Sequence, residues 1–95
     1  MTRLLWSPQA VEDVEAIRSF VARDSEHYAN LLVERLVAAV DRLGSFPLSG
    51  WVVPEVGDES LRELVYGNYR IVYRVKPELV EIVTVFHSAR LLRLE

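Results

Sequence analysis

Between residues 8 and 43 apolar side chains return every three or four positions, whereas from residue 61 to 87 they return every second one. The first period belongs to a helix with one buried face, the second to a half-covered strand. Val11, Val14, Ile17 and Val21 form the first helical stripe. Ser7 precedes it as an N-cap, and Pro8 suits the first helical position, where an N–H would lack a partner anyway. The spacing predicts a helix from about Pro8 to Arg23. Glu12, Asp13 and Glu15 fall early in it, where carboxylates meet the positive end of the helix dipole, and the Glu12-Asp13 pair reads as a solvated face. The chain restarts at Asp24 or Ser25. Tyr28, Leu32, Leu36, Val40 and Leu43 make the second stripe, with Ala29 and Ala39 beside it and Gly44 as its stop. So short a turn obliges the two helices to pack antiparallel.

The alternating runs predict strands over Leu61–Tyr66, Tyr69–Lys76 and Leu79–His87, joined by two-residue turns at Gly67-Asn68 and Pro77-Glu78. Arg3–Trp6 predicts a short strand before the helices, with its pairing direction left open. Pro47, Gly50, Pro54 and Gly57 break any regular element between Ser45 and Ser60. The apolar knot Trp51-Val52-Val53 in that loop reads as a lid anchored over the core. Helices and strands in blocks imply an α+β fold, β-α-α-β-β-β: an N-terminal β-strand, then an antiparallel helical hairpin packed on one face of a mainly antiparallel β-sheet. Ninety-five residues are expected to form a single domain, 1–95.

With both hairpins closed by two-residue turns, Arg70 falls opposite Val65 and Val85, and Arg74 opposite Leu61 and Glu81. Alternation then places Leu64, Tyr69, Ile71, Tyr73, Val75, Val80, Ile82 and Phe86 on the face the helices cover. The other face carries Glu63, Val65, Arg70, Val72, Arg74, Glu81, Val83, Val85 and His87. Four valines at its centre make it more apolar than a solvated sheet face, which predicts a contact groove rimmed by charge. The alternative is that Ser88–Glu95 folds back over it. Arg74 reads as a cross-strand ion pair with Glu81. Arg70, with only valines directly opposite, is expected to meet an incoming anion or carbonyl. His87 and Arg90 are expected to converge with it at one end. The predicted partner-binding set is Arg62, Val65, Arg70, Val72, Arg74, Val83, Val85, His87 and Arg90.

Charge sharpens this picture only mildly. The net charge is −3, but residues 1–60 hold five Arg against ten Asp and Glu, while residues 61–95 hold five Arg and Lys76 against four Glu. The C-terminal half is therefore the place to seek an anionic partner, though the whole chain is no polyanion binder. Ten of the eleven basic residues are Arg, which favours planar, hydrogen-bonded recognition over diffuse attraction. No cysteine excludes disulfides and thiolate metal sites and fits a reducing cytoplasm. No apolar run approaches the roughly 20 residues of a membrane span. No Gly-rich phosphate loop, metal-ligand spacing or nucleophile motif occurs, so no cofactor and no metal are expected.

The order of motifs adds an identification. Trp6-Ser7-Pro8, Ala10, Asp13 and Ile17 open the chain, and Pro47 and Gly50 follow the helical hairpin. Leu61-Arg62-Glu63-Leu64 and Gly67-Asn68-Tyr69-Arg70-Ile71-Val72-Tyr73-Arg74-Val75 lead to His87-Ser88-Ala89-Arg90. In this order, over nearly its whole length, the chain resembles the RelE/ParE superfamily of type II toxins. The resemblance implies a compact toxin encoded beside an antitoxin, ParD-like or other, whose C-terminal segment wraps and neutralises it. The groove and the outer helix faces would receive such a segment.

RelE-like members cleave mRNA in the ribosome, using basic residues for the transition-state phosphate and for proton transfer. Arg70 and Arg90 match that branch's arginines, and with His87 they would be the catalytic set. Where its lysines are expected, however, this chain has Leu61 and Glu63, and the expected late tyrosine is missing. A carboxylate at 63 would repel a scissile phosphate. ParE-like members, similar here in L-R-E-L and H-x-x-R, inhibit DNA gyrase by binding it. The leading expectation is thus a non-catalytic, ParE-like gyrase inhibitor that arrests growth. The alternatives are a ribosome-dependent endoribonuclease and an inert interaction module. None of these involves a membrane or sequence-specific DNA binding by the toxin alone.

Overall fold

A computed structural model describes residues 2–89. Strand β1 (Arg3–Trp6) leads into helices α1 (Pro8–Ala22) and α2 (Glu26–Asp41), a 3-10 turn (Arg42–Gly44), a two-residue strand β2 (Trp51–Val52), and strands β3 (Leu61–Tyr66), β4 (Tyr69–Lys76) and β5 (Leu79–His87). Both helices start on a serine, Ser7 as expected and Ser25 of the two residues, Asp24 and Ser25, that the sequence left open. Ser7 Oγ accepts from Ala10 N at 3.0 Å and Ser25 Oγ from Tyr28 N at 3.1 Å. Helix α2 buries Ala29, Leu32, Leu36 and Val40, while Tyr28 and Val11, expected on the stripes, are exposed.

The sheet order is β1-β5-β4-β3-β2, antiparallel except that β1 runs parallel to β5. Both tight turns close as the sequence predicts, with Tyr66 paired to Tyr69 and Lys76 to Leu79. Positive φ falls on Gly67 alone in the first turn (φ 56°), a conformation that glycine adopts without steric cost. The loop before β3 was expected to be wholly irregular; instead Trp51 and Val52 pair with Glu63 and Arg62 as a short edge strand.

One irregularity re-sorts the side chains. Val72 pairs with Thr84 but Tyr73 pairs with Ile82, so Val83 is an extra residue in β5. Such a bulge breaks the alternation of the strand that carries it. Arg70 still faces Val65, yet on its other side it meets Phe86 rather than Val85. Val85, predicted on the open face, packs under the helices with Leu36, Val40, Ile71, Tyr73, Val80 and Ile82. Phe86, predicted under the helices, packs on the opposite face. The helix side forms the main core. On the other face Val53, Leu61 and Val72 make a second, smaller cluster, against which Val83 and Phe86 are half-buried. The proposed row of four open valines therefore does not exist, because Val72 and Val85 are both buried.

Candidate functional site

On the face away from the helices the segment between Val53 and Leu61 forms a strap. Val53 N donates to Leu61 O at 3.1 Å, so the chain leaves and rejoins the sheet at one point. Val56 N and Gly57 N both turn back onto Val53 O, and Gly57 takes φ 72° to do so. Val53 is driven into the sheet beside Leu61 and Val72, so the lid of the sequence reading is anchored by Val53, with Trp51 outside.

Three arginines hold this strap. Arg62 donates from Nε to Glu59 O at 3.0 Å and from Nη1 to Gly50 O at 3.1 Å. Arg74 donates from Nη1 to Ser60 Oγ at 3.1 Å and lies 3.5 Å from Asp58 Oδ2. The expected Arg74–Glu81 ion pair is absent from the geometry even though the two are register partners, because Glu81 turns to Lys76 at 3.7 Å. The hydrogen bonds from Ser60, backbone first and then hydroxyl, together with Arg74, hold the Asp58 carboxyl below its usual range.

Arg70 sits between two carboxylates. Nη1 and Nη2 reach Glu55 Oε2 and Oε1 at 2.7 and 2.9 Å, a two-pronged contact, and Nε reaches Glu63 Oε2 at 2.6 Å. Its guanidinium also lies over the Phe86 ring, 5.1 Å from the centroid. The hydrogen bond to Glu55, and then those to Glu63, raise the Arg70 pKa still further above its ordinary value against the opposing effect of burial. Glu63 is 8% exposed, so the inner pair is shielded from water, while Glu55 on the strap forms the outer, more accessible one. The expectation that Arg70 stands open to an incoming anion is corrected: carboxylates of this same chain already occupy it. The reason is the strap, which lays Glu55 over the sheet onto Arg70 while Glu63 reaches it from β3; the bulge adds Phe86 beside the guanidinium.

The apolar exposed surface lies next to this cage, at the sheet edge. A cleft of about 490 Å3 runs between the end of α2 and β3, lined by Ala39, Arg42, Phe46, Ser49, Leu64, Val65 and Tyr66. Of its lining, Phe46 and Val65 are each more than half exposed, and so are Leu48 and Trp51 on the chain that follows Phe46. Strand β2 pairs only with Arg62 and Glu63, so among the described residues nothing pairs with β3 beyond that point on this side. Phe46 and Leu48 were missed by the sequence reading. Their signal was available: two apolar residues in a proline-containing loop that neither helical nor strand period absorbs.

The other predicted site residues scatter. Val65 is exposed and Val83 half-buried on the strap side. His87 does not join Arg70. It lies against Tyr69, ring centroids 5.8 Å apart, and its Nδ1 accepts from Ala89 N at 3.1 Å. Arg90 lies outside the described residues, as do residues 90–95 of the segment whose fold-back was the alternative to an open groove. Among the described residues no group of three or more His, Cys, Asp or Glu could hold a metal ion, and no helix is long and apolar enough to cross a membrane.

Comparison with known proteins supplies the frame. Residues 4–92 match the family model described as ParE toxin of type II toxin-antitoxin system, parDE. A curated relative, Toxin RelE2 of Caulobacter vibrioides, is 36% identical over 92 residues, covering 96% of this chain and 100% of that protein. A solved structure described as the chromosomal ParDE TA system from P. aeruginosa shares the fold, with a TM-score of 0.73 at 23% identity over 92% of this chain and 96% of that one.

Proposed function

The chain belongs to the ParE toxin family of type II toxin–antitoxin systems, and from that membership we propose that it arrests growth by binding DNA gyrase and trapping it on DNA. As such a toxin it has a cognate antitoxin as partner, which on this reading silences it by occupying the apolar cleft beside β3.

The observation that supports binding over RNA cleavage is the state of Arg70. Two carboxylates about one guanidinium leave a local excess of negative charge where a nuclease would stabilise a phosphate. At 4 Å and an effective dielectric constant of about 20, each uncompensated unit charge costs a phosphate about 4 kcal/mol. A supercoiling assay with purified gyrase tests the proposal. Inhibition at micromolar toxin is expected, and undisturbed supercoiling there would remove gyrase as the target.

The second reading, ribosome-dependent mRNA cleavage through Arg70, His87 and Arg90, is favoured by the name of the Caulobacter relative. Toeprinting on translated mRNA separates the two. New breaks in the ribosomal A site that vanish in Arg70→Ala would establish the nuclease.

A further inference from the structure

Arg70 and Val65 are register partners on one face of the sheet, so the caged guanidinium stands directly beside the most exposed valine of the cleft. Opposite residues of an antiparallel pair hold their Cβ atoms about 5 Å apart. A polypeptide laid over Val65 therefore brings its neighbouring side chains within reach of Arg70. The outer carboxylate on Arg70 belongs to Glu55, on a strap that is fixed by backbone hydrogen bonds at Val53 and at Ser60–Leu61, with local turns between. Its 28% side-chain exposure marks it as the accessible partner, in contrast to Glu63 at 11%.

From this arrangement we infer that the two-pronged face of Arg70 is a carboxylate-binding site for a partner polypeptide, and that Glu55 is its internal placeholder. The ligand is one Asp or Glu flanked by apolar residues. The acidic group replaces Glu55 one for one, leaving the charge of the cage unchanged and the inner Glu63 pair intact. The apolar flanks pack on Phe86 and Val65. Planar, paired donors match a carboxylate directly. A nucleic acid suits the place less well, since its successive phosphates would run past Asp58, Glu59 and Glu63 on a chain of net charge −3. The inference rests on the reading that the cleft receives the antitoxin, and it names the contact by which that partner is read.

A placeholder lowers apparent affinity by the fraction of time it holds the site, so removing it strengthens binding. The test compares wild type, Glu55→Ala, Glu55→Gln and Arg70→Lys as full chains with two probes. One is the antitoxin encoded beside the toxin, followed by calorimetry. The other is the pentapeptide acetyl-Ala-Leu-Glu-Leu-Ala-amide, followed through the Arg70 side-chain N–H signal in NMR. Glu55→Ala is expected to bind both about tenfold more tightly, Glu55→Gln to move the same way, and Arg70→Lys to bind the peptide no better than its Gln analogue. Unchanged or weaker peptide binding in both Glu55 variants overturns the inference, as does preference of Glu55→Ala for oligo-dT over the peptide. If no variant binds the antitoxin while the peptide still gains, the antitoxin reading of the cleft falls and the carboxylate site stands.

Discussion

Asp13 Oδ2 accepts the backbone N–H of Val85 at 3.0 Å, joining the second turn of α1 to a strand residue 72 positions later. The Thr84 hydroxyl donates to the same oxygen, and from the other side Ser7 Oγ donates to Val83 O at 2.9 Å. Val83 O and Val85 N–H lie at the β5 bulge, beyond Trp6 and Ile82, the last pair that β1 makes with β5, and a buried N–H or C=O without a partner is costly. The start of α1 is thus a brace for the bulge. In Asp13→Ala the Val85 N–H loses its acceptor, at about 1–3 kcal/mol. Thermal unfolding followed by circular dichroism should show a drop of roughly 4–8 °C per kcal/mol for a domain of this size. Asp13→Asn, which keeps a side-chain carbonyl, should recover much of it. Equal melting of the Ala variant and wild type would dismiss the brace.

The same contact marks where the sequence stopped being readable. Periodicity located every strand of the meander, because both turns are two residues long and their chemistry is local. It could not locate the bulge, which sits where Ser7 and Asp13 meet residues 83–85 across the fold. One extra residue then exchanged Val85 and Phe86 between faces and, with them, the surroundings of Arg70. Asp13, read as part of a solvated helix turn, was legible only as a cap-region carboxylate. Glu55 could not be matched to Arg70 because the strap's course depends on Val53 finding a place over Val72, a long-range event with no period of its own.

Gly50 and Tyr73 form a second long-range lock. The Tyr73 hydroxyl accepts from Gly50 N at 2.9 Å inside the protein, and a Cβ on Gly50 would lie inside van der Waals contact of Glu63 O and of that hydroxyl. Gly50→Ala should therefore destabilise by about 1–3 kcal/mol through overpacking, and urea unfolding reads this as a lower midpoint at unchanged slope.

Tyr73 also gives a pH signature. Burial pushes its phenol above the ordinary tyrosine value of about 10. A folded-state pKa above the unfolded one means that the folded protein holds the proton more tightly. The associated stability is complete below pH 10 and is lost as pH rises through the folded value. Urea midpoints of wild type should fall more steeply above pH 10 than those of Tyr73→Phe, which has no proton to lose. Parallel curves for the two would show that Tyr73 does not titrate with unfolding.

The Arg70 cage predicts non-additive losses. Arg70→Met leaves Glu63 shielded from water without its cation, and breaking a buried pair this way costs up to about 3–5 kcal/mol. Partial exposure, 11% for each side chain, places the expected loss toward the lower end. Glu63→Gln with Arg70→Met removes the stranded charge, so the double variant should be more stable than Arg70→Met alone. A double-mutant cycle from urea unfolding measures this coupling, and simple additivity would mean that the two do not interact.

The cleft separates stability from recognition. Phe46 and Val65 are 64% and 57% exposed, so placing a carboxylate at either should alter folding by no more than about 0.5 kcal/mol. If these side chains anchor a partner, losing one costs about 2 kcal/mol of binding or more, roughly thirtyfold in affinity. Phe46→Asp and Val65→Asp should thus melt near wild type yet require far more antitoxin to be neutralised, measured as restoration of growth on antitoxin co-expression. Tyr28→Asp, on the exposed side of α2 away from the cleft, should need no more antitoxin than wild type. Neutralisation lost in Tyr28→Asp but kept in the cleft variants would move the partner onto the helices.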